Sequence, residues 1–193
     1  MGGMKAGERS PKRATYEDIL KLPEHVIGEI VDGELIVSPR PAPRHASAGS
    51  GIGGSLWGPF HRSPGDPGGP GGWWILFEPE LHLGEDVVVP DVAGWRRERL
   101  PSLPGEAFFT LAPDWVCEVV SPHSGYLDRV RKATTYARAR VGHLWLVDPL
   151  ERTLEVYRLA TDGWLRVSAH GADERVRAEP FAAVEIELAR WWG

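Results

Sequence analysis

Short apolar runs bounded by Gly, Pro or Asp recur along the chain, a pattern typical of a protein built mainly on β-strands. The runs WWILFEPELHLG, DVVVPDVAGW, DWVCEVVSP, HLWLVDP, RTLEVYRL and WLRVSA each predict one strand. Pro79 cannot donate a ladder hydrogen bond, so we expect the first of these strands at a sheet edge or at a bulge. EIVDGELIVSP predicts a hairpin, because Asp32-Gly33 is a favoured two-residue turn between two apolar runs.

Two segments predict helices. Thr15 can cap a short helix through its hydroxyl oxygen, and Asp18 occupies the acidic position of a capping box. Residues 126–141 predict a longer helix, because apolar residues recur there at helical spacing, namely Val130, Ala133, Ala137 and Val141.

The order of these elements indicates the fold class. Strands come first, then one long helix, then strands again, which predicts an α/β or α+β protein with a central mixed β-sheet. A chain of 193 residues without an internal repeat predicts one domain. We expect a flexible basic tail over residues 1–14 and a single folded domain over residues 15–193.

Composition and charge narrow the function classes. The single cysteine excludes a disulfide framework, and no apolar run approaches the ~18 residues needed to cross a bilayer. The N-terminal segment is charged, unlike a secretory signal, so we expect a cytoplasmic protein with no membrane partner. A net charge of -5 does not indicate a generally basic nucleic-acid binder, so any phosphate-binding surface must be local.

Common catalytic motifs are absent from the sequence. One cysteine and seven scattered histidines do not support a zinc site, and neither a nucleophile elbow nor a phosphate-binding loop occurs. Residues 49–54 match the GxGxxG pattern, but the preceding PRPAPRHASA is not the apolar strand that dinucleotide binding needs. Because each glycine weakens a helix by about 1 kcal/mol, we expect a poorly helical surface segment here.

Carboxylates within apolar strands are the most informative chemical feature. Asp91 lies in VVVPDVAGW and Glu118 in WVCEVVSP. An unpaired buried carboxylate is costly, so each must cap a turn, pair with an arginine, lie at a frayed strand end or bind a cation. Two such residues, each near a strand end marked by a proline, favour a shared site for a hard metal ion.

The predicted helix supplies cations. Asp128, Lys132 and Tyr136 are four residues apart and share one face, and Lys132 borders the apolar stripe, so its ammonium can reach the strand ends. Residues 126–142 otherwise carry basic side chains, which either form a solvated face or contact phosphates.

The ordered series of motifs resembles the Uma family of restriction endonucleases, assigned to the PD-(D/E)XK nuclease superfamily. The series is EIVDGELIVSP, PRH, PELHL, VVVPDVAGW, CEVVSP, D-x-x-x-K-x-x-x-Y and HLWLVDP…TLEVYRL, from about Thr15 to Leu159. The resemblance implies a restriction-endonuclease-like core, in which a central mixed sheet is flanked by helices and carries the acids on adjacent strands.

The resemblance also implies roles for individual residues. Pro90-Asp91 corresponds to the PD pair and Glu118 to the acid of the E-x-K element, while Val120 stands where the lysine is usual. Lys132 fits the position on the following helix to which relatives move that lysine. Asp91, Glu118 and Lys132 are thus the implied catalytic residues.

Supporting positions follow from the same resemblance. Glu80 corresponds to a frequently acidic site and is a candidate third metal ligand with Asp91 and Glu118. Glu29 and His45 match recurrent positions without an assigned role, and Tyr136 closes the helical motif. The glycine-rich residues 49–58 depart from the family, in which a regular helix occurs.

The expected function is hydrolysis of DNA phosphodiester bonds with Mg²⁺ or Mn²⁺. Lys132 would orient or deprotonate the attacking water, or offset negative charge in the transition state. Nucleic-acid phosphates would contact a set of arginines, namely Arg40, Arg44, Arg129 and Arg131. An enzyme that cuts two strands is also a candidate homodimer.

Two other functions stay open from the sequence. One is a catalytically inactive nuclease-fold protein that binds nucleic acid or a protein partner, which net acidity and the missing E-x-K spacing favour. The other is a metal-dependent phosphodiesterase acting on RNA or a small substrate. Retention of Asp91, Glu118 and Lys132 together favours the endonuclease.

Overall fold

Two β-sheets and a two-stranded ribbon form the framework of the protein. The computed structural model describes residues 13–122 and 124–193. The strands in this part of the chain are β1 (Val26–Val31), β2 (Glu34–Pro39), β3 (Trp73–Phe77), β4 (Leu81–Leu83), β5 (Asp86–Val88), β6 (Val92–Arg96), β7 (Trp115–Val119), β8 (His143–Asp148), β9 (Thr153–Ala160), β10 (Gly163–Gly171), β11 (Arg175–Val176) and β12 (Ile186–Glu187).

The larger sheet is mixed, as the sequence predicts. Its six strands lie in the order β10-β9-β8-β7-β6-β3, and β7 and β8 are parallel while the other neighbours are antiparallel. A four-stranded antiparallel sheet has the order β2-β1-β5-β4. The β1–β2 hairpin is confirmed, with both turn residues, Asp32 (φ 54°) and Gly33 (φ 81°), in the left-handed region.

Helical segments connect and cover the strands. They are α1 (Tyr16–Ile19), α2 (Pro43–Phe60), a π-helical segment (Leu127–Lys132), α3 (Ala133–Arg138) and a 3₁₀ helix (Leu188–Trp191). The capping box of α1 is confirmed, since the Thr15 amide donates to the Asp18 carboxylate at 3.0 Å. The helix expected over 126–141 is confirmed, but its first turn is widened. In the described residues, no helix combines the length and apolar character needed to span a membrane.

The six-stranded sheet is covered on both faces. Along β7, Cys117 and Val119 join a core cluster with α2 and the C-terminal segment, while Val116 belongs to a second cluster with α3. Alternate residues of a strand point to opposite faces, so β7 is buried on both sides. A carboxylate on this strand therefore has little access to water.

Two predicted strands are each divided in two. WWILFEPELHLG forms β3 and β4 in different sheets, and DVVVPDVAGW forms β5 and β6 in different sheets. Pro79 and Pro90 lack an amide hydrogen, and Glu78 turns the chain with a φ of 42°. Asp91 consequently precedes β6 at the crossing between the two sheets.

The glycine-rich segment is helical, contrary to the expectation from its composition. One face of α2 is buried at four-residue intervals, through Ala48, Ile52, Leu56 and Phe60. Burial of this face outweighs the low helix propensity of glycine. At Gly53 the ring of Phe77 occupies the space that a Cβ atom would need.

The predicted N-terminal tail lies almost wholly outside the described residues. Residues 1–12 are not described, while Arg13 pairs with Glu85 at 2.7 Å and the Ala14 amide donates to the Gly33 carbonyl at 2.8 Å. The last two residues of the predicted tail thus contact the four-stranded sheet.

Replacing Gly53 and Gly54 of α2 with alanine should change the free energy of unfolding in opposite directions. Gly54→Ala should raise the free energy of unfolding by about 0.5–1 kcal/mol, because a Cβ there meets no atom within 4 Å and glycine is the poorer helix former. Gly53→Ala should lower it by about 1–3 kcal/mol, because the new methyl overlaps Phe77. Urea unfolding of both variants measures this difference, and shifts in the same direction would contradict the packing described.

Candidate active site

The Lys132 ammonium is the centre of a buried polar cluster. Its Nζ lies 2.9 Å from Glu118 Oε1 and 3.0 Å from Glu29 Oε1, and it donates to the Val89 carbonyl at 3.1 Å. Only 3% of the residue is exposed. The lysine joins the π-helical segment to β7, to β1 and to the crossing between β5 and β6.

Glu118 lies on the face of β7 that packs toward α3. The Tyr136 hydroxyl donates to its Oε1 at 2.5 Å, so Tyr136 and Lys132 both contact the same oxygen. Lys132 and Tyr136 are one helical turn apart, which brings both to Glu118 from the same side. The sequence prediction that these three residues share a location agrees with this geometry.

Asp91 lies beside Glu118, at the start of the neighbouring strand. Its Oδ2 accepts the Val119 amide at 2.6 Å, and its Oδ1 is 2.6 Å from Nε2 of His45 in the first turn of α2. This hydrogen bond from the Val119 amide holds Asp91 against the residue that follows Glu118. His45, for which the sequence suggests no role, therefore contacts a predicted catalytic residue.

Asp128 is a fourth acid of the cluster, and the sequence analysis assigns it no role. It is 4% exposed, and its Oδ1 lies 4.0 Å from Lys132 Nζ. It also interacts electrostatically with Asp91 and Glu29. The four-residue spacing between Asp128 and Lys132 was the available signal, but spacing alone does not separate a buried acid from an exposed helical pair.

Acidic groups outnumber cationic groups in this cluster. Burial raises the pKa of Glu118 well above its usual range, Lys132 opposes this, and Asp128, Asp91 and Glu29 raise it further. Burial similarly raises the pKa of Asp128. Burial alone would lower the pKa of Lys132, but Glu118 and Glu29 raise it well above normal, so the ammonium keeps its proton.

The negative charges of the cluster also raise the pKa values of His45 and Tyr136. Burial lowers the pKa of His45, but the hydrogen bond to Asp91 and the negative charges of Asp91, Asp128 and Glu78 together outweigh this, and the net shift is upward. Burial and the nearby Glu118 raise the pKa of Tyr136 well above its usual value, so the phenol remains protonated. Tyr136 can therefore act as a hydrogen-bond donor to the carboxylate.

Glu80 is not brought together with Asp91 and Glu118 as one ligand set. Its Oε1 lies 2.8 Å from His82 Nε2, beside the ring of Tyr16. Glu80 precedes β4, which pairs with β5 in the four-stranded sheet, whereas Glu118 lies on β7 of the six-stranded sheet. Among residues 13–122 and 124–193, no three carboxylate, imidazole or thiol groups are arranged to hold one metal ion.

Most of the predicted phosphate-binding arginines pair with acids. Arg129 lies 2.5 Å from Glu155, and Arg131 lies 2.9 Å from Glu34. Arg40 lies 3.7 Å from the Glu78 carboxylate and also donates to the Glu24 carbonyl at 3.1 Å. The fourth arginine of the set, Arg44, is exposed in the first turn of α2. The basic side chains of the π-helical segment are therefore largely neutralised within the protein.

Comparison with solved structures shows that the fold is shared with another protein. A crystal structure from Anabaena variabilis, described as "a putative nuclease belonging to DUF820", is similar with a TM-score of 0.69 and 23% sequence identity, over 93% of this chain and 97% of that chain. The fold class predicted from the sequence is confirmed.

The family is shown by the sequence comparison. The family model of Uma2, described as "Putative restriction endonuclease", matches residues 14–190, so the chain belongs to the Uma2 family. The resemblance inferred from the motifs is thereby confirmed. A search of curated proteins gives no match.

Replacing the central lysine should destabilise the protein in a pH-dependent way. Lys132→Met should cost about 3–5 kcal/mol near pH 8, because it leaves buried carboxylates without their cation. Their pKa values, already raised at Glu118 and Asp128, should rise further. A carboxyl pKa that is raised in the folded state removes stability as the pH rises from the ordinary pKa of the group toward the raised one. The deficit relative to wild type should therefore be smaller near pH 5, where these carboxyl groups are protonated in the folded protein.

Urea unfolding at the two pH values measures this effect. Lys21→Met is the matched control, because Lys21 is 70% exposed and its pair with Asp18 lies on the surface. A deficit of the same size at both pH values would argue that lost packing, rather than charge, is responsible.

Proposed function

We propose that the protein is a metal-dependent endonuclease that hydrolyses DNA phosphodiester bonds. The observation that carries this proposal is the position of Asp91 and Glu118 at neighbouring strand ends, beside a fully buried lysine. An aspartate beside a glutamate that contacts a lysine can together hold a divalent cation and offset negative charge during phosphodiester hydrolysis. The Uma2 family description supports the same class of reaction.

The acids of the cluster suit a hard divalent cation. Three carboxylates lie within 4.0 Å of one ammonium, and Asp91 lies beside Glu118. Burial and the neighbouring acids raise the pKa values of Glu118 and Asp128. Asp91 and Glu118 would hold Mg²⁺ or Mn²⁺, which commonly takes one or two carboxylates and completes its shell with water and substrate phosphate. The bound ion would polarise the phosphodiester and lower the pKa of a water molecule.

Lys132 would act by charge rather than as a base. Because Glu118 and Glu29 raise its pKa well above normal, it does not release its proton at neutral pH. Its ammonium would instead offset negative charge that develops on the phosphate in the transition state. Glu29 would fix the lysine from the opposite side, since its Oε1 also accepts the Val89 amide at 2.8 Å.

His45 and Tyr136 would orient the two carboxylates. His45 contacts Asp91 Oδ1 and Tyr136 donates to Glu118 Oε1. In the described part of the chain, no donor reaches Glu118 Oε2, so one oxygen remains for a ligand. Flanking phosphates would contact Arg44 and Arg40, and would compete with acids for Arg129 and Arg131.

Cleavage should depend on both carboxylates. Asp91→Ala and Glu118→Gln should each lower the rate of DNA cleavage in Mg²⁺ at least about 100-fold, because a metal-binding oxygen is lost from the site. Incubation of plasmid and oligonucleotide DNA with each variant measures the rates, and circular dichroism shows whether the variant is folded. Glu98→Gln changes an exposed acid outside the cluster and should cleave like wild type.

Three results would count against the endonuclease. Equal cleavage by folded variants of Asp91 and Glu118 would remove these residues from the reaction. Binding of DNA without cleavage in either metal would favour the non-cutting binder. Cleavage of RNA or of a small phosphodiester, without cleavage of DNA, would favour the phosphodiesterase.

Metal binding should be measurable without a substrate. Mn²⁺ titrated into wild type by calorimetry should give one site, and Glu118→Ala should weaken it at least about 10-fold, because a carboxylate ligand is removed. Glu98→Ala should bind like wild type. Binding that persists unchanged in the Glu118 variant would place the metal elsewhere.

A further inference from the structure

Three arginines at the β3 edge of the six-stranded sheet carry charge that no acid of the described chain neutralises. Arg96 ends β6, Arg97 follows it, and Arg62 lies two residues after α2. Within residues 13–122 and 124–193, no carboxylate lies within 4.0 Å of these guanidinium groups. By contrast, the nearby Arg99 pairs with Asp114 at 2.8 Å. We call Arg62, Arg96 and Arg97 the arginine cluster.

Two backbone hydrogen bonds through Gly72 hold the arginine cluster together. The Gly72 amide donates to the Arg62 carbonyl at 2.8 Å, and the Arg97 amide donates to the Gly72 carbonyl at 2.9 Å. Arg62 is fixed further by a bond from its Nε to the Gly58 carbonyl at 2.6 Å. The fold thus brings the end of α2 and the end of β6 to one place on the surface.

Tryptophan rings support two of the guanidinium groups. The Arg97 guanidinium carbon lies 3.4 Å from the centre of the Trp74 ring, and that of Arg96 lies 4.7 Å from the centre of the Trp73 ring. A guanidinium over a ring keeps its N–H groups available at its rim. In the described part of the chain, Arg97 uses only its Nε, which donates to the Trp73 carbonyl at 3.1 Å, and the Arg96 guanidinium donates to nothing.

The sheet edge does not need the charge of the arginine cluster for its own hydrogen bonds. His61 Nδ1 accepts the Ile75 amide at 3.0 Å, so the imidazole covers the free edge of β3. The exposed Trp57 ring stacks on His61 with a centroid distance of 3.6 Å. Because these contacts complete the edge, the exposed Arg96 guanidinium remains for an anion from outside the chain.

Helix α2 leads from the candidate active site to the arginine cluster. His45 in its first turn lies 2.6 Å from Asp91, and Arg62 follows its last turn. The helix itself contains no acidic residue. At 1.5 Å per residue, the distance from His45 to Arg62 is about 25 Å, which is roughly the length of seven base pairs. A polyanion lying along the exposed face of α2 therefore meets no carboxylate from this helix.

We propose that the arginine cluster binds the phosphate backbone of duplex DNA, roughly seven base pairs from the bond that is cleaved. This inference rests on the proposed function and deepens it by naming the surface that holds the flank of the substrate. Charge complementarity supports it. The net charge of -5 disfavours DNA elsewhere, and Arg129 and Arg131 pair with acids, whereas the arginine cluster keeps N–H groups for phosphate oxygens.

Fluorescence anisotropy in EDTA tests the contact without cleavage. Wild type and the double variant Arg96→Gln/Arg97→Gln are titrated into a labelled duplex of about 24 base pairs at several salt concentrations. The double variant should bind about 10-fold more weakly, and its slope of log Kd against log salt should fall by about 1–2, because each lost phosphate contact removes about 0.9. Arg166→Gln is the matched control and should bind like wild type, because Arg166 is 59% exposed on β10, at the opposite edge of the sheet.

Cleavage kinetics in Mg²⁺ test the distance between the arginine cluster and the active site. On the long duplex, the double variant should raise KM about 10-fold with kcat unchanged, because the lost contacts are remote from the reacting phosphate. A duplex of about 8 base pairs cannot reach both places, so the difference in kcat/KM should shrink to less than about 2-fold.

The outcomes separate this inference from the proposed function. Equal affinity and equal salt slope for the double variant and Arg166→Gln would overturn the arginine cluster. Cleavage through Asp91 and Glu118 with an unchanged KM in the double variant would overturn the cluster alone. Binding that depends on the cluster, without cleavage in either metal, would overturn the proposed function and support the DNA-binding surface. Neither binding nor cleavage would overturn both. The single variant Arg96→Gln, at an exposed side chain, decides the question if the double variant does not fold.

Discussion

The Lys132 ammonium connects the parts of the structure that form the candidate site. It contacts Glu118 of the six-stranded sheet, Glu29 of the four-stranded sheet and the Val89 carbonyl between them. A charge buried to this extent is stable only with all its partners in place, so these contacts fix the helix and both sheets relative to one another. The same constraint holds Glu118 beside Asp91, where the proposed chemistry would take place.

Burying carboxylates where the helix meets the two sheets costs free energy of folding. Such a cost is expected where the carboxylates bind a cation or take part in a reaction. Hydrophobic residues of similar volume would pack at least as well as a buried ion pair. Glu118, Asp128 and Glu29 nevertheless share one lysine, so the acids of the cluster outnumber its cation. Burial first, and then the neighbouring acids, raise the pKa values of Glu118 and Asp128. A divalent cation would supply the missing positive charge. The imbalance therefore supports a metal-dependent function over a purely structural network.

Helix α2 has two roles that its glycine-rich composition does not predict. Its buried face anchors the helix on the sheet, and its first turn carries His45 to Asp91. Gly53 allows Phe77 to pack against the helix. Low helix propensity is tolerated here because tertiary burial supplies most of the stability of a helix in a folded protein.

The sequence by itself determined the mixed sheet, the hairpin at Asp32-Gly33 and the family, because these depend on local periodicity, turn chemistry and motif order. It also indicated that Asp91, Glu118 and Lys132 belong together. The division of two apolar runs at Pro79 and Pro90, and the helical state of residues 49–58, were decided by pairing and burial between distant segments. The inclusion of Asp128 and His45 in the cluster, and the separation of Glu80 from it, were decided in the same way. Side chains far apart in sequence meet only after the two sheets have packed, and local spacing carries no information about that contact.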